Sequence, residues 1–410
     1  MPIEGWEKEE DMEEDIHGIV IIGSGICGLA TALALHRKGL SSLVLEKSET
    51  LRSDGVAIGV HANGWRALEQ LGLATELRET ADIITEYHNV WKKQNKTTLK
   101  PTRKELRCLK RKDLVEALAK NLPVGTIRFG CHVAKIFEEP DSHCTVLGTV
   151  DGSTIMAKVL IGCDGANSMV SQYLGLGSPS HLPRLVLLGF TSYLHGHPFG
   201  TRFLRFAGED LAVGRIPVNA NLVHFFVTRT GPSTGFTDEN AAREYVLEKL
   251  PECPAEIVEM VRRRDAETKT LTKVWYRPPW QVMLGRFQRG TVTVAGDAMH
   301  VMAPFFGQGG SAALEDAVVL ARSLSRSVPD GVVVDDGSTS SHELEEKIRV
   351  ALGKYVRERR PRLFLLSLEH FVFGTMLTAK SVVKKLVCVA ILALLGTESR
   401  RHSDYDCGRL

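Results

Sequence analysis

The apolar run Ile19-Val20-Ile21-Ile22 closes a segment, Ile16–Ile22, that reads as a short buried strand. Ala30–Lys38 has helical character and is closed by Gly39, and Ser42–Glu46 is a second short apolar strand. A strand, a helix and a strand within about thirty residues build a parallel pair joined by a helical crossover. Helices are predicted over Trp65–Leu73, ending around Gly72, and over Lys112–Asn121, where Leu114, Ala117 and Leu118 share a side. The pattern then turns strand-like over Thr126–Phe129, Val133–Glu138, Cys144–Leu147 and Thr154–Ile161, with a hairpin turn at Asp151-Gly152.

From Arg184 to Tyr276 the texture changes. Strands are predicted over Leu185–Leu194, Thr201–Phe206, Leu211–Ile216 and Leu222–Thr228, followed by helices over Asp238–Lys249 and Pro254–Arg264. Such a stretch is expected to form a separate, largely antiparallel sheet domain. Gly290–Asp297 returns to a buried strand, 330–341 is a polar loop, and 343–410 is mostly helical. Within that last region, Leu386–Leu395 is apolar but about half the length of a membrane-crossing helix, and Lys384 and Lys385 precede it. Two readings stand: a helix packed on the body of the protein, or one lying in a membrane surface with its lysines toward lipid head groups.

Composition narrows the function only by exclusion. The net charge is +2, which gives no reason to expect a nucleic-acid partner. Eight of the first 15 residues are acidic, so 1–15 is expected to be a disordered tail. It resembles neither a secretory signal nor a transit peptide. The eight cysteines include no Cys-x-x-Cys pair, so no metal site is expected, and free thiols in the cytoplasm are.

The chemistry lies in three glycine-containing turns. Gly23-x-Gly25-x-x-Gly28 joins the first strand to its helix, and Glu46 ends the next strand. Glycines there permit a tight turn, close approach of a pyrophosphate and close helix–strand packing, while the acid bonds a ribose hydroxyl. The pattern means a dinucleotide but does not choose NAD or FAD. Ile161-Gly162-Cys163-Asp164-Gly165-Ala166-Asn167-Ser168 follows a second strand. Val294-Ala295-Gly296-Asp297-Ala298-Met299-His300 follows a third and runs on to Pro304-Phe305-Phe306-Gly307-Gln308-Gly309-Gly310.

In this order and at these separations the three segments resemble the FAD-dependent aromatic hydroxylases (group A flavin monooxygenases), which include salicylate hydroxylase, para-hydroxybenzoate hydroxylase and zeaxanthin epoxidase. The likeness covers nearly the whole chain and is closest to the plant salicylate-hydroxylase-like monooxygenases. It implies an α/β fold: a Rossmann-like FAD-binding domain from 16–85, 101–180 and 280–342, an inserted, mainly antiparallel substrate domain from 86–100 and 181–279, and a helical C-terminal region, 343–410. It also implies NADPH or NADH as electron donor, and O2 with a small aromatic or unsaturated molecule as substrates. Hydroxylation or epoxidation would proceed through a C4a-hydroperoxyflavin. A reductase or oxidase of the same fold, without oxygen insertion, is the alternative, and a binding protein of this fold is a third class.

The resemblance implies roles as well. Gly23, Gly25, Ile26, Cys27 and Gly28 would hold the pyrophosphate, with Glu46 and neighbouring Lys47 at the adenosine ribose. Arg111 and Arg52 would reach the flavin side; Val133 would flank adenine; Asp164 would organise the pyrophosphate end. Asp297 would bond the ribityl chain, while Gly307, Gly309 and Gly310 would present amides to the pyrimidine edge. No catalytic triad is present, in keeping with flavin-driven chemistry; His300, Arg215 and Pro304 are weak catalytic candidates, and His300 reads better as a structural residue. Phe190, Tyr193, Phe203, Phe206, Phe225 and Phe305, with Arg215, are candidate walls of the substrate site. Two positions depart from the family: Val301 replaces a usual proline, and Ser171 a frequent arginine. Arg262-Arg263-Arg264 and Arg357-Glu358-Arg359-Arg360 read as solvated helix faces.

Overall fold

The strand Asp15–Ile22 lies inside an eight-stranded sheet, parallel to Leu43–Leu45 on one side and to Thr154–Gly162 on the other. A computed structural model describes residues 15–52, 55, 57–139, 144–229, 239–263, 265, 270–327, 341–379, 381–399 and 402–410. The acidic tail, apart from Asp15, and the polar loop, apart from Ser341, fall outside them. Ile19, Val20, Ile21 and Ile22 are all buried, as a parallel strand covered on both faces requires. Val292–Val294 and Ile127–Arg128 extend the parallel set outward. The strands Cys144–Thr149 and Thr154–Gly162 pair antiparallel, and Gly152 in their turn has φ +89°. The first helix, Ile26–His36, begins directly after Gly25, four residues before the apolar pattern announces it. With Gly309–Ser325 it forms a buried helix pair.

A second, seven-stranded sheet runs in the order Thr270–Tyr276, Ser180–Ser192, Leu222–Arg229, Leu211–Asn219, Arg202–Ala207, Glu86–Trp91, Lys96–Pro101. All neighbours are antiparallel except Arg202–Ala207 with Glu86–Trp91. The last two strands carry no apolar alternation, since Lys96–Pro101 is exposed nearly throughout. That is why hydrophobic periodicity does not reveal them. A further pair, Ala57–His61 with Leu106–Lys110, stands apart as a small sheet.

The two faces of the large sheet differ. Leu204, Phe206, Val213, Phe225 and Val227 form a core with Ile257 and Met260 of the helix Ala255–Arg262. On the other face Phe190 and Ile216 join the main core, and Phe226 packs with Ala303 and Phe305. The helix Ser341–Thr378 packs on Gly309–Ser325 and on Pro279–Leu284, and Val382–Ser399 packs against it. No helix among the described residues is long and apolar enough to cross a membrane.

His61, His224 and His370 sit where burial pushes each imidazole down to about 4. All three stay neutral in the fold while the unfolded chain takes up protons near its ordinary histidine value of about 6.5. Their contribution is present above that value and is lost as pH falls toward 4, because the unfolded state then binds more protons. Thermal melts from pH 7 to 4 should therefore show a steep drop below about pH 6.5, softened in a His224→Gln variant. A melting temperature flat across that window would contradict this.

Candidate functional site

The turn after the first strand is shaped for a ligand. Gly23 has φ +101°, and a Cβ there would stand 2.6 Å from the Cys163 carbonyl oxygen. A Cβ on Gly28 would stand 1.9 Å from the Gly23 oxygen, so helix and strand meet backbone to backbone. At Gly25 the added carbon would meet nothing within 4 Å. Gly25 caps the helix Ile26–His36, whose first turn holds no acid and receives no side-chain cap. Open space thus faces amides that need an acceptor, the setting a pyrophosphate fills.

Glu46 stands beside this turn. It is 2% exposed and accepts hydrogen bonds from Ser24 N (3.0 Å), Ser24 Oγ (2.7 Å) and Ser48 N (3.0 Å). Burial alone would raise its pKa, but these bonds and Arg52, whose Nε is 3.5 Å from Oε1, bring it below the ordinary value. Lys47 and Arg52 are exposed at the rim, and Ile26 is half-buried. Cys27 is buried with its thiol 3.8 Å from that of Cys163, beneath the turn. Val133 is buried in the strand Val133–Glu139, where its pairing with Cys144–Thr149 is interrupted before Lys135.

Asp164 and Asp297 follow the ends of two neighbouring parallel strands. Asp164 Oδ2 accepts from Met169 N at 2.7 Å, whereas Oδ1 is buried without a hydrogen-bond partner, and burial raises the pKa. Asp297 retains accessible surface, yet desolvation raises its pKa against the pull of His300 and Arg111. Both observations hold for a carboxylate that lines an enclosed hollow. Gly309 and Gly310 open the helix Gly309–Ser325, and a Cβ on Gly310 would press to 2.2 Å from Ile58 Cδ1. Gly307 turns with φ +62° beside the His61 ring, and Pro304 is exposed at the start of a short 3-10 turn. An orphaned acceptor, an uncapped helix start and a space that any Cβ at Gly25 would enter are what FAD requires.

A buried charge network holds these loops. Asp316 accepts from Gly296 N (2.9 Å), His300 Nε2 (2.6 Å) and Arg359 Nε (2.7 Å). Its burial would raise the pKa, but His300 and Arg359 bring it down to about 2. Glu315 binds Arg359 at 2.6 Å, Arg362 at 3.1 Å and Asn63 Nδ2 at 2.6 Å, and Asn63 also donates to Gln308. Arg359 is therefore not on a solvated helix face, as its charged neighbours suggest; it is wholly buried. Its acids lie on a different helix, out of reach of any local pattern. His300 is wholly buried on Asp316 and supports the loop rather than facing the hollow.

Arg215 also lies away from the site. It sits on the helix-covered face of the large sheet, with its guanidinium 3.6 Å from the centre of the Phe199 ring and Glu256 at 3.3 Å. Phe206, Phe225 and Tyr193 belong to that same face. Phe190, Phe203 and Phe305 are on the other. There Arg205, which neither charge nor spacing singles out, lies 4.7 Å from the ring centres of both Tyr87 and Phe203. It has accessible surface, yet burial lowers its pKa, and its charge helps to hold His61 neutral. The guanidinium is reachable from solvent and flanked by two aromatic rings. At the two positions that depart from the family, Val301 is buried and its carbonyl accepts from Arg277 N at 2.7 Å. Ser171 is also buried and donates to the Ala298 carbonyl at 2.7 Å, fastening one turn to the other.

Comparison with known proteins agrees with this geometry. A family model described as FAD binding domain matches residues 17–331. The chain is 45% identical to Monooxygenase 1 of Arabidopsis thaliana, across 96% of this chain and 99% of that one. It is 35% identical to Monooxygenase 2 of the same plant, across 97% and 99%. Among solved structures, Klebsiella pneumoniae HpxO complexed with FAD and uric acid superposes with a TM-score of 0.76 at 22% identity, covering 94% of this chain and 95% of that one.

Proposed function

The chain belongs to the FAD-dependent aromatic hydroxylases and is an FAD-dependent monooxygenase, and from that premise we propose that it takes electrons from NADPH or NADH to oxygenate a small, negatively charged aromatic or unsaturated substrate. The observation that carries the substrate class is Arg205, a solvent-accessible cation beside two aromatic rings. A guanidinium flanked by aromatic rings favours a carboxylate or phenolate, because the bidentate pair recovers what partial desolvation removes.

When bound, FAD supplies the electron relay and the activation of O2. The chain's residues bind, orient and exclude water. Gly25 would admit the pyrophosphate to a turn that Gly23 and Gly28 keep close-packed, Glu46 would meet the ribose, and Asp164 would offer its free oxygen to a hydroxyl. Asp297 and Arg111 would meet the flavin end, where the Gly309 and Gly310 amides would stabilise charge on the ring. Tyr87, Phe203 and Phe226 close the substrate side with apolar surface, and His61, held neutral, leaves the anion to Arg205.

The experiment is a titration of the yellow, FAD-loaded protein with paired ligands, an aromatic carboxylate and its neutral amide, followed through the flavin spectrum. The carboxylate should bind more tightly, and Arg205→Met should weaken it by about 10- to 100-fold, or about 1.4–2.7 kcal/mol, while the amide and the FAD content hold steady. Equal binding of both ligands would refute the assignment to Arg205. Product formed under labelled O2 should carry one labelled atom; peroxide alone with every ligand would favour the oxidase alternative.

A further inference from the structure

The helix Val382–Ser399 shows the solvent a face that soluble helices normally hide. Cys388 is buried against the body, and Ile391, Leu392 and Leu395 are half-buried beside it. Val382, Val383, Leu386, Val387, Val389 and Leu394 are between 51% and 80% exposed. At about 100° per residue these six fall on an arc of about 160° directly opposite Cys388. Lys384 and Lys385, both exposed, lie near the start of the helix, about 60° and about 40° beyond the two edges of that arc. The helix has no acidic residue before Glu398.

We propose that this face docks on an anionic lipid bilayer, with the helix lying in the plane of the surface. The apolar arc enters the acyl boundary and the flanking lysines reach up to anionic head groups. Length decides against spanning, since no described helix is long and apolar enough to cross. Charge decides against self-pairing. Two copies joined through this arc would leave Lys384 and Lys385 outside the joint, with no partner of opposite charge before Glu398 on the same helix. A membrane surface satisfies both the apolar arc and its cationic edges. The inference is independent of the substrate assignment, because the helix lies outside the cofactor loops.

Flotation of the FAD-loaded protein tests it, using vesicles of phosphatidylcholine alone and of phosphatidylcholine mixed with phosphatidylserine. The protein should float with the mixed vesicles and much less with the neutral ones, and added salt should weaken the binding. Val383→Ser/Leu386→Ser, which alters the centre of the arc, should lower binding by at least about tenfold with FAD content and melting temperature unchanged. Lys384→Glu/Lys385→Glu should abolish the preference for the anionic vesicles. Absence of binding to either vesicle would overturn the proposal. So would a concentration-dependent dimer that the serine pair dissolves, since the arc would then be the surface between two copies.

Discussion

A Gly25→Val protein is expected to fold and to purify colourless. Gly25 has φ −73° and ψ −179°, an extended backbone that valine adopts readily, and its added carbon meets no protein atom within 4 Å. The branched side chain therefore enters only the space kept for the pyrophosphate. Loss of that approach should reduce FAD affinity by at least about 100-fold, or about 2.7 kcal/mol. Gly28→Ala is the control with the opposite signature. Its methyl would stand 1.9 Å from the Gly23 oxygen, so the sheet and helix must part, and the fold itself should weaken. Flavin absorbance of the purified proteins and urea denaturation of their apo forms separate the two. A yellow Gly25→Val protein would show that the cofactor does not approach this turn.

Arg359→Met should be among the most destabilising changes in the chain. The side chain keeps most of its volume and loses its charge, which leaves Glu315 and Asp316 together in the core with Arg362, Asn63, His300 and the Gly296 amide to answer them. Removing one partner of a buried pair costs about 3–5 kcal/mol, because the survivor's charge is uncompensated. The loss should appear as a lower urea midpoint, and FAD should also be held less tightly, since Asp316 fixes the Gly296 amide. Adding Glu315→Gln and Asp316→Asn should recover part of the stability without restoring the cofactor loop. A single variant as stable as the wild type would mean that the network contributes little.

What the sequence reveals follows from the range over which each signal acts. The glycine turns are legible because the backbone itself demands glycine there, and Ile19–Ile22 because a doubly covered strand must be apolar throughout. Arg205 and Arg215 show the opposite limit. Their strands pair with Leu204 opposite Arg215 and Arg205 opposite Gly214, so one step of register sends the two guanidinium groups to opposite faces. Gly214 and Pro217 interrupt the alternation that would have identified the faces. Arg359 fails to announce itself for another reason. A charged run on a helix has the same local pattern whether water or Glu315 lies in front of it. The strand Lys96–Pro101 escapes because an exposed edge needs no apolar period, and Glu86–Trp91 because it is half-buried along its whole length.

The charge network also sets where the molecule can be cut. The family match ends at 331, yet Glu315 and Asp316 are neutralised from Arg359 and Arg362, well beyond that limit. Tyr405 then covers both arginines, with its ring 5.2 and 4.7 Å from their guanidinium carbons. An excised 17–331 fragment would retain every cofactor-loop residue and carry two buried carboxylates at its centre without their arginines, left to Asn63, His300 and the Gly296 amide. The stretch matched as the FAD binding domain is thus smaller than the unit that the charge network holds together.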